Sequence, residues 1–129
     1  MAHRRRLLVG SALLASVVTL PAAAPSQSAA PRVIDVVAER FEFWPSEIAI
    51  DQGETVELRI HSLDTLHGFR IVGTETNLVI PKRGSGYVVT RFTGGEAGRY
   101  TFECSRMCGA GHNFMRGSLV VRPAAEGQP

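Results

Sequence analysis

The sequence predicts an antiparallel β-sandwich of Greek-key type with seven or eight strands. Three observations point to it. From Arg32 onward the chain divides into short runs with period-two alternation or β-branched enrichment. Turn-forming residues fall between those runs, at Pro45, Asp51-Gln52-Gly53, Pro81 with Gly84 and Gly86, Gly94-Gly95 and Gly98. The same span carries no helical pattern of useful length. That many short strands in about ninety residues fit two packed sheets.

The elements follow in order. "MAHRRR" is a positively charged start, and "LLVGSALLASVVTL" (7–20) is an apolar run short for a membrane span and rich in small residues. "PAAAPSQSAAP" then offers small residues suited to a signal-peptidase site, after Ala24 or near Ala30. Residues 1–30 are therefore expected to be a signal peptide and linker. An uncleaved anchor is the alternative, and either places the domain on the outer face of the cytoplasmic membrane or in the periplasm. The strands expected next are 32–39, 47–50, 55–62, 68–73, 77–80, 86–93, 99–104 and 117–123. The third alternates strictly, with Val56, Leu58 and Ile60 to one side and Glu57 and Arg59 to the other. The domain spans 31–123, and residues 124–129 are expected to be a disordered tail.

Composition allows one core and little else. The chain has 129 residues, 44% hydrophobic and 20% charged, enough for a single domain. Its formal charge of +2 includes Arg4, Arg5 and Arg6; without them 11 basic residues face 12 acidic ones. A near-neutral domain lacks the concentrated basic face that nucleic acid requires, so no nucleic-acid partner is expected.

The chemistry is concentrated in "ECSRMCGAGHNFMRG" (103–117), which holds both cysteines and two of the three methionines. Cys104, Cys108, His112 and Met115 form C-x3-C-x3-H-x2-M in one strand-to-strand loop. Thiolate with thioether favours copper, while imidazole suits several metals. His67, at the start of a strand and followed by Gly68, is the candidate for a further ligand from another loop. In an exported domain two cysteines default to a disulfide, and a Cys2His2 zinc site is a further alternative, though it would leave Met115 without a role. His61 reads as structural and Met107 as packing under the loop. Trp44, beside Phe41 and Phe43, reads as core or edge packing, with an electron-entry aromatic as the alternative.

These residues carry a resemblance. "C-S-x-x-C-G-x-x-H-x-x-M" resembles the CuA loop of cytochrome c oxidase subunit II and of nitrous-oxide reductase. "HSLDTLHGFRI" is similar to that family's S-x-D-V-x-H-G-F segment, and "PSEIAIDQGETVELRI" to the strand pair before it. The likeness covers roughly 41–122 and implies a cupredoxin-like sandwich. It also implies two copper ions in a binuclear centre. Cys104 and Cys108 would bridge both, His67 and His112 would each ligate one, and Met115 and the main-chain carbonyl of Arg106 would be weak axial ligands. Such a set leaves no open position for substrate, whereas catalytic metals keep one, so a one-electron carrier is expected rather than an enzyme. The implied partner is a redox protein such as a c-type cytochrome or another cupredoxin, with a terminal oxidase core as a further associate. A copper carrier for oxidase assembly and a mononuclear cupredoxin are the alternatives.

The sequence departs from the family at Arg106, where many subunit II sequences have a glutamate that also serves a magnesium site. Arginine keeps the carbonyl but cannot ligate magnesium. Arg106 and Arg116 would make the docking face mixed to basic if both reach solvent, with Asp64 the one acidic residue near His67.

Overall fold

A computed structural model describes residues 29–125. Among these residues nine strands and one 3-10 turn follow in the order β1 (Arg32–Glu39), β2 (Glu42–Trp44), β3 (Glu47–Asp51), β4 (Thr55–Ser62), β5 (His67–Ile71), β6 (Asn77–Ile80), β7 (Tyr87–Thr93), β8 (Gly98–Glu103), the turn His112–Phe114, and β9 (Arg116–Arg122). They form two sheets, β2-β1-β4-β7 and β3-β9-β8-β5-β6. The fold is the expected all-β cupredoxin-like sandwich. No helix among the described residues is long and apolar enough to cross a membrane. The expected signal peptide, apart from its last two residues, and most of the expected tail lie outside the described residues.

Alternation builds the interior. Val56, Leu58 and Ile60 of β4 are buried while their neighbours face outward, as the period-two pattern requires. Ile48 and Ile50 do the same from β3, and Leu119 and Val121 from β9. Phe43, Phe69 and Phe102 meet between the sheets with ring centroids 5.2–5.6 Å apart. Edge-to-face and tilted pairs of this kind add to plain burial. Phe69 lies two residues after His67 and Phe102 two before Cys104, so this aromatic trio fixes both approaches to the candidate site.

Three expectations are corrected. The sandwich is not wholly antiparallel, because β1 runs parallel to β4 and β3 parallel to β9. Alternation encodes a buried face but not the direction of a neighbour. Strand β2 is an addition; three residues between a turn and Pro45 are too few to show a period. Met107 does not pack under its loop but is 77% exposed. Trp44 is 72% exposed on β2, the edge of its sheet, which favours edge over core.

Candidate metal centre

The site is assembled at one end of the sandwich from two loops. The first, Ser62–Leu66, joins β4 to β5. The Ser62 hydroxyl donates to the Thr65 carbonyl at 2.6 Å and accepts from the Asp64 amide at 3.1 Å, so a side chain closes the turn. This delivers His67 at the first position of β5, fully buried. The second loop runs from Cys104, just past β8, to Met115, just before β9. Its ends are pinned by the Cys104 amide donating to the Met115 carbonyl at 3.0 Å, and the turn from His112 to Phe114 takes up the slack.

Gly68 is demanded by the approach of these two loops. A Cβ there would lie 2.8 Å from the Arg106 amide nitrogen and 2.9 Å from that of Ser105, closer than packing allows. Gly111 answers a different need, since a Cβ there would run into the ring of Phe41, which lies against the loop.

Six donor groups converge. His67 Nδ1 is 3.9 Å from Cys104 Sγ; Cys104 Sγ is 3.7 Å from Cys108 Sγ; Cys108 Sγ is 3.7 Å from His112 Nδ1 and 3.8 Å from Met115 Sδ. The Arg106 carbonyl oxygen stands 3.1 Å from Cys104 Sγ. The metal-ligating atoms of His67, Cys104 and Cys108 all lie within 4.8 Å of one another. Both cysteines are free thiols, and their separation is far beyond the ~2.05 Å of an S–S bond. Cys104, Cys108 and Met115 are buried with His67, while His112 is half-buried. The structure thus brings together the six residues expected as ligands, Arg106 through its carbonyl.

Hydrogen bonding orients the first imidazole. His67 Nε2 lies 2.7 Å from Asp64 Oδ1, which assigns the ring proton to Nε2 and leaves the Nδ1 lone pair facing the thiols. Partial burial by itself would raise the Asp64 carboxyl. Hydrogen bonds from His67 and from the amides of Arg40 and Thr65 overcome that and hold it down at about 2. Cys108 moves the other way: burial first, then the adjacent Cys104 thiol, push it up to about 11. A metal binding here therefore displaces thiol protons, so its affinity rises with pH.

Two features were not drawn from the sequence. Asp64 reads in the sequence only as an acidic neighbour, although its position three residues before His67 is the available signal for its role. Arg40 donates from Nε to the Cys108 carbonyl at 2.8 Å across 68 positions of sequence, and no local pattern announces such a contact.

Soft thiolate and thioether donors with two imidazoles are the chemistry of copper rather than of hard cations, and the residues present fit it. Sandwich and donor set together define a cupredoxin-like protein. The chain belongs to the cupredoxin-like domain family, whose sequence pattern matches residues 12–121. It is 36% identical over 88 residues to cytochrome c oxidase subunit 2 of Thermus thermophilus, a match covering 67% of this chain and 63% of that protein. Among solved structures it is similar to a chain of a heme-copper terminal oxidase dimer, with TM-score 0.63 and 27% identity, covering 70% of this chain and 65% of that one. The periplasmic domain of subunit II of cytochrome oxidase from Bradyrhizobium japonicum shares the fold, with TM-score 0.64 at 14% identity over 74% of this chain and 86% of that one. The chain spans less than two thirds of the length of the Thermus relative it matches.

Proposed function

We propose that this chain is an exported one-electron carrier built around a binuclear copper centre of the CuA type. Cys104, Cys108, His67 and His112 would hold the two ions, with Met115 and the Arg106 carbonyl as weaker donors. The observation that carries this reading is the placement of both free thiols between two imidazole Nδ1 atoms, each imidazole within 3.9 Å of one sulfur. When bound, such a copper pair supplies a single electron delocalised across both ions, exchanged with little change in geometry.

The protein's own part is to hold the donors still. His67 is locked by Asp64, Cys104 receives the Gly68 amide at 3.5 Å, and Met115 is clamped between Cys104 and β9. Buried thiols suit a resident redox centre better than a copper carrier, which requires exchangeable ligands. The similarity to oxidase subunit II and the signal-like residues 1–30 support export, a domain spanning 31–123 and work beside a terminal oxidase. The redox partner then meets the end of the sandwich where Arg106, Met107, Phe114 and Arg116 are exposed.

Copper content and the electron paramagnetic resonance spectrum of the loaded full chain test this together. Two coppers sharing one unpaired electron are expected. A single copper with a four-line spectrum would show a mononuclear cupredoxin instead.

A further inference from the structure

Arg40 stands in the turn between β1 and β2, outside both ligand loops, yet it touches each of them. Its amide donates to Asp64 Oδ2 at 3.0 Å, the carboxylate whose other oxygen holds His67. Its guanidinium Nε donates to the Cys108 carbonyl at 2.8 Å and lies 4.0 Å from Asp64 Oδ2. The next residue, Phe41, lays its ring over Gly109 and Gly111 of the cysteine loop. One dipeptide thus braces the His67 loop on one side and the Cys108–Gly111 segment on the other.

We propose that Arg40 is a positioning residue for the metal centre: its guanidinium holds the Cys108 half of the loop in register with His67 and places a fixed positive charge at the Cys108 main chain. This rests on the copper reading above but does not depend on it entirely, because the bracing is present in the protein itself. The physical case has two parts. Among the hydrogen bonds at the site, only those of Arg40 join the turn after β1 to both ligand loops, and a charge-assisted bond is stronger than a neutral one. A cation held on the Cys108 main chain favours the more electron-rich, reduced state of the centre, so it raises the reduction potential. Outer partners of metal ligands typically change affinity by about 10–100-fold when removed.

The test uses the full chain as wild type, Arg40→Ala and Arg40→Lys. In the metal-free protein, amide hydrogen exchange is read at Cys104, His112, Phe114 and Met115, whose amides are bonded within or across the loop. Arg40→Ala should speed exchange at these four about tenfold while leaving β4 and the global unfolding midpoint close to wild type. After copper loading, Arg40→Ala should keep the wild-type copper count, release copper to excess chelator about tenfold faster and show a lowered reduction potential. Arg40→Lys keeps the charge without the planar fork, so it should recover the potential and only part of the protection. Loop exchange in Arg40→Ala equal to wild type overturns the proposal, and so does a loss of protection spread evenly over the whole domain. A wild-type chain that takes one copper or none defeats the binuclear reading instead, and the metal-free exchange still decides the role of Arg40.

Discussion

The two halves of the centre are built differently. Cys104 and His67 are attached to strands: one directly follows β8 and the other opens β5, with the Phe43–Phe69–Phe102 cluster beneath them. His67 is buried and tied to Asp64. Cys108 and His112 belong to the free arc of the loop, where a short 3-10 turn replaces a strand and His112 is half-buried. The first half is buried foundation and the second is the part that reaches the surface. Exposed Phe114 beside His112 and exposed Met107 beside Cys108 fit that division. The electron carrier proposed above would need both, because a wholly buried centre exchanges electrons slowly and a wholly exposed one reorganises more.

The largest effect should ignore this asymmetry. Cys104→Ser and Cys108→Ser are each expected to abolish the two-copper centre completely, since both sulfurs lie between the imidazoles. Metal analysis and the paramagnetic spectrum check it. An unchanged spectrum in Cys108→Ser would mean that the outer half does not bridge at all.

The next effect should expose the asymmetry. In the metal-free chain His67→Ala removes a buried ring and leaves Asp64 without its strongest partner. A loss of about 2–4 kcal/mol is expected from the cavity and the lost bond to a carboxylate that keeps its amide partners. His112→Ala should cost less than about 1 kcal/mol, as substitutions away from the core usually do. Urea midpoints of the two variants measure the difference, and equal losses would erase the distinction between foundation and face.

The same division explains what could be read from the sequence. β4 was legible to the residue because Val56, Leu58 and Ile60 alternate with polar neighbours. The ligand motifs were legible because C-x3-C-x3-H-x2-M is local and chemically unusual. What escaped is non-local. The parallel pairing of β1 with β4 is set by which strand lies alongside which, not by either pattern alone. Arg40 reaches Cys108 across 68 positions, and Phe41 explains Gly111 only once both are folded. Met107 was misplaced because an apolar residue in a ligand loop has the same composition whether it faces the core or a partner.

A smaller change should tune the centre without breaking either half. Met115 is buried at the junction, 3.8 Å from Cys108 Sγ. Met115→Leu roughly conserves volume, so it should cost less than about 1.5 kcal/mol. Both coppers should be retained with a shifted reduction potential, because the thioether is assigned as a weak axial ligand that tunes more than it holds. Voltammetry of the loaded variant checks this, and loss of one copper would promote Met115 to an essential ligand.

The smallest effect belongs to the outer face alone. Arg106 and Arg116 are exposed on the ligand loop and at its end, as are the apolar side chains of Met107 and Phe114. Asp64, the acidic residue next to His67, is bound to His67 and the Arg40 amide. The charges carried by the ligand loop and its end are therefore both basic, which suits a redox partner with an acidic rim better than a strongly basic cytochrome. Charge complementarity acts mainly on association rate and on its dependence on salt. Arg106→Glu should accordingly slow electron transfer with an acidic-faced partner, most at low ionic strength, because surface charges are screened over about 8 Å at physiological salt. Copper content should not change, since only the main-chain carbonyl of Arg106 is assigned to the metal. Stopped-flow rates across a salt series decide it: a rate that rises in Arg106→Glu, or that ignores salt in both proteins, would remove the basic charges from the docking face and leave Met107 and Phe114 to dock by apolar contact alone.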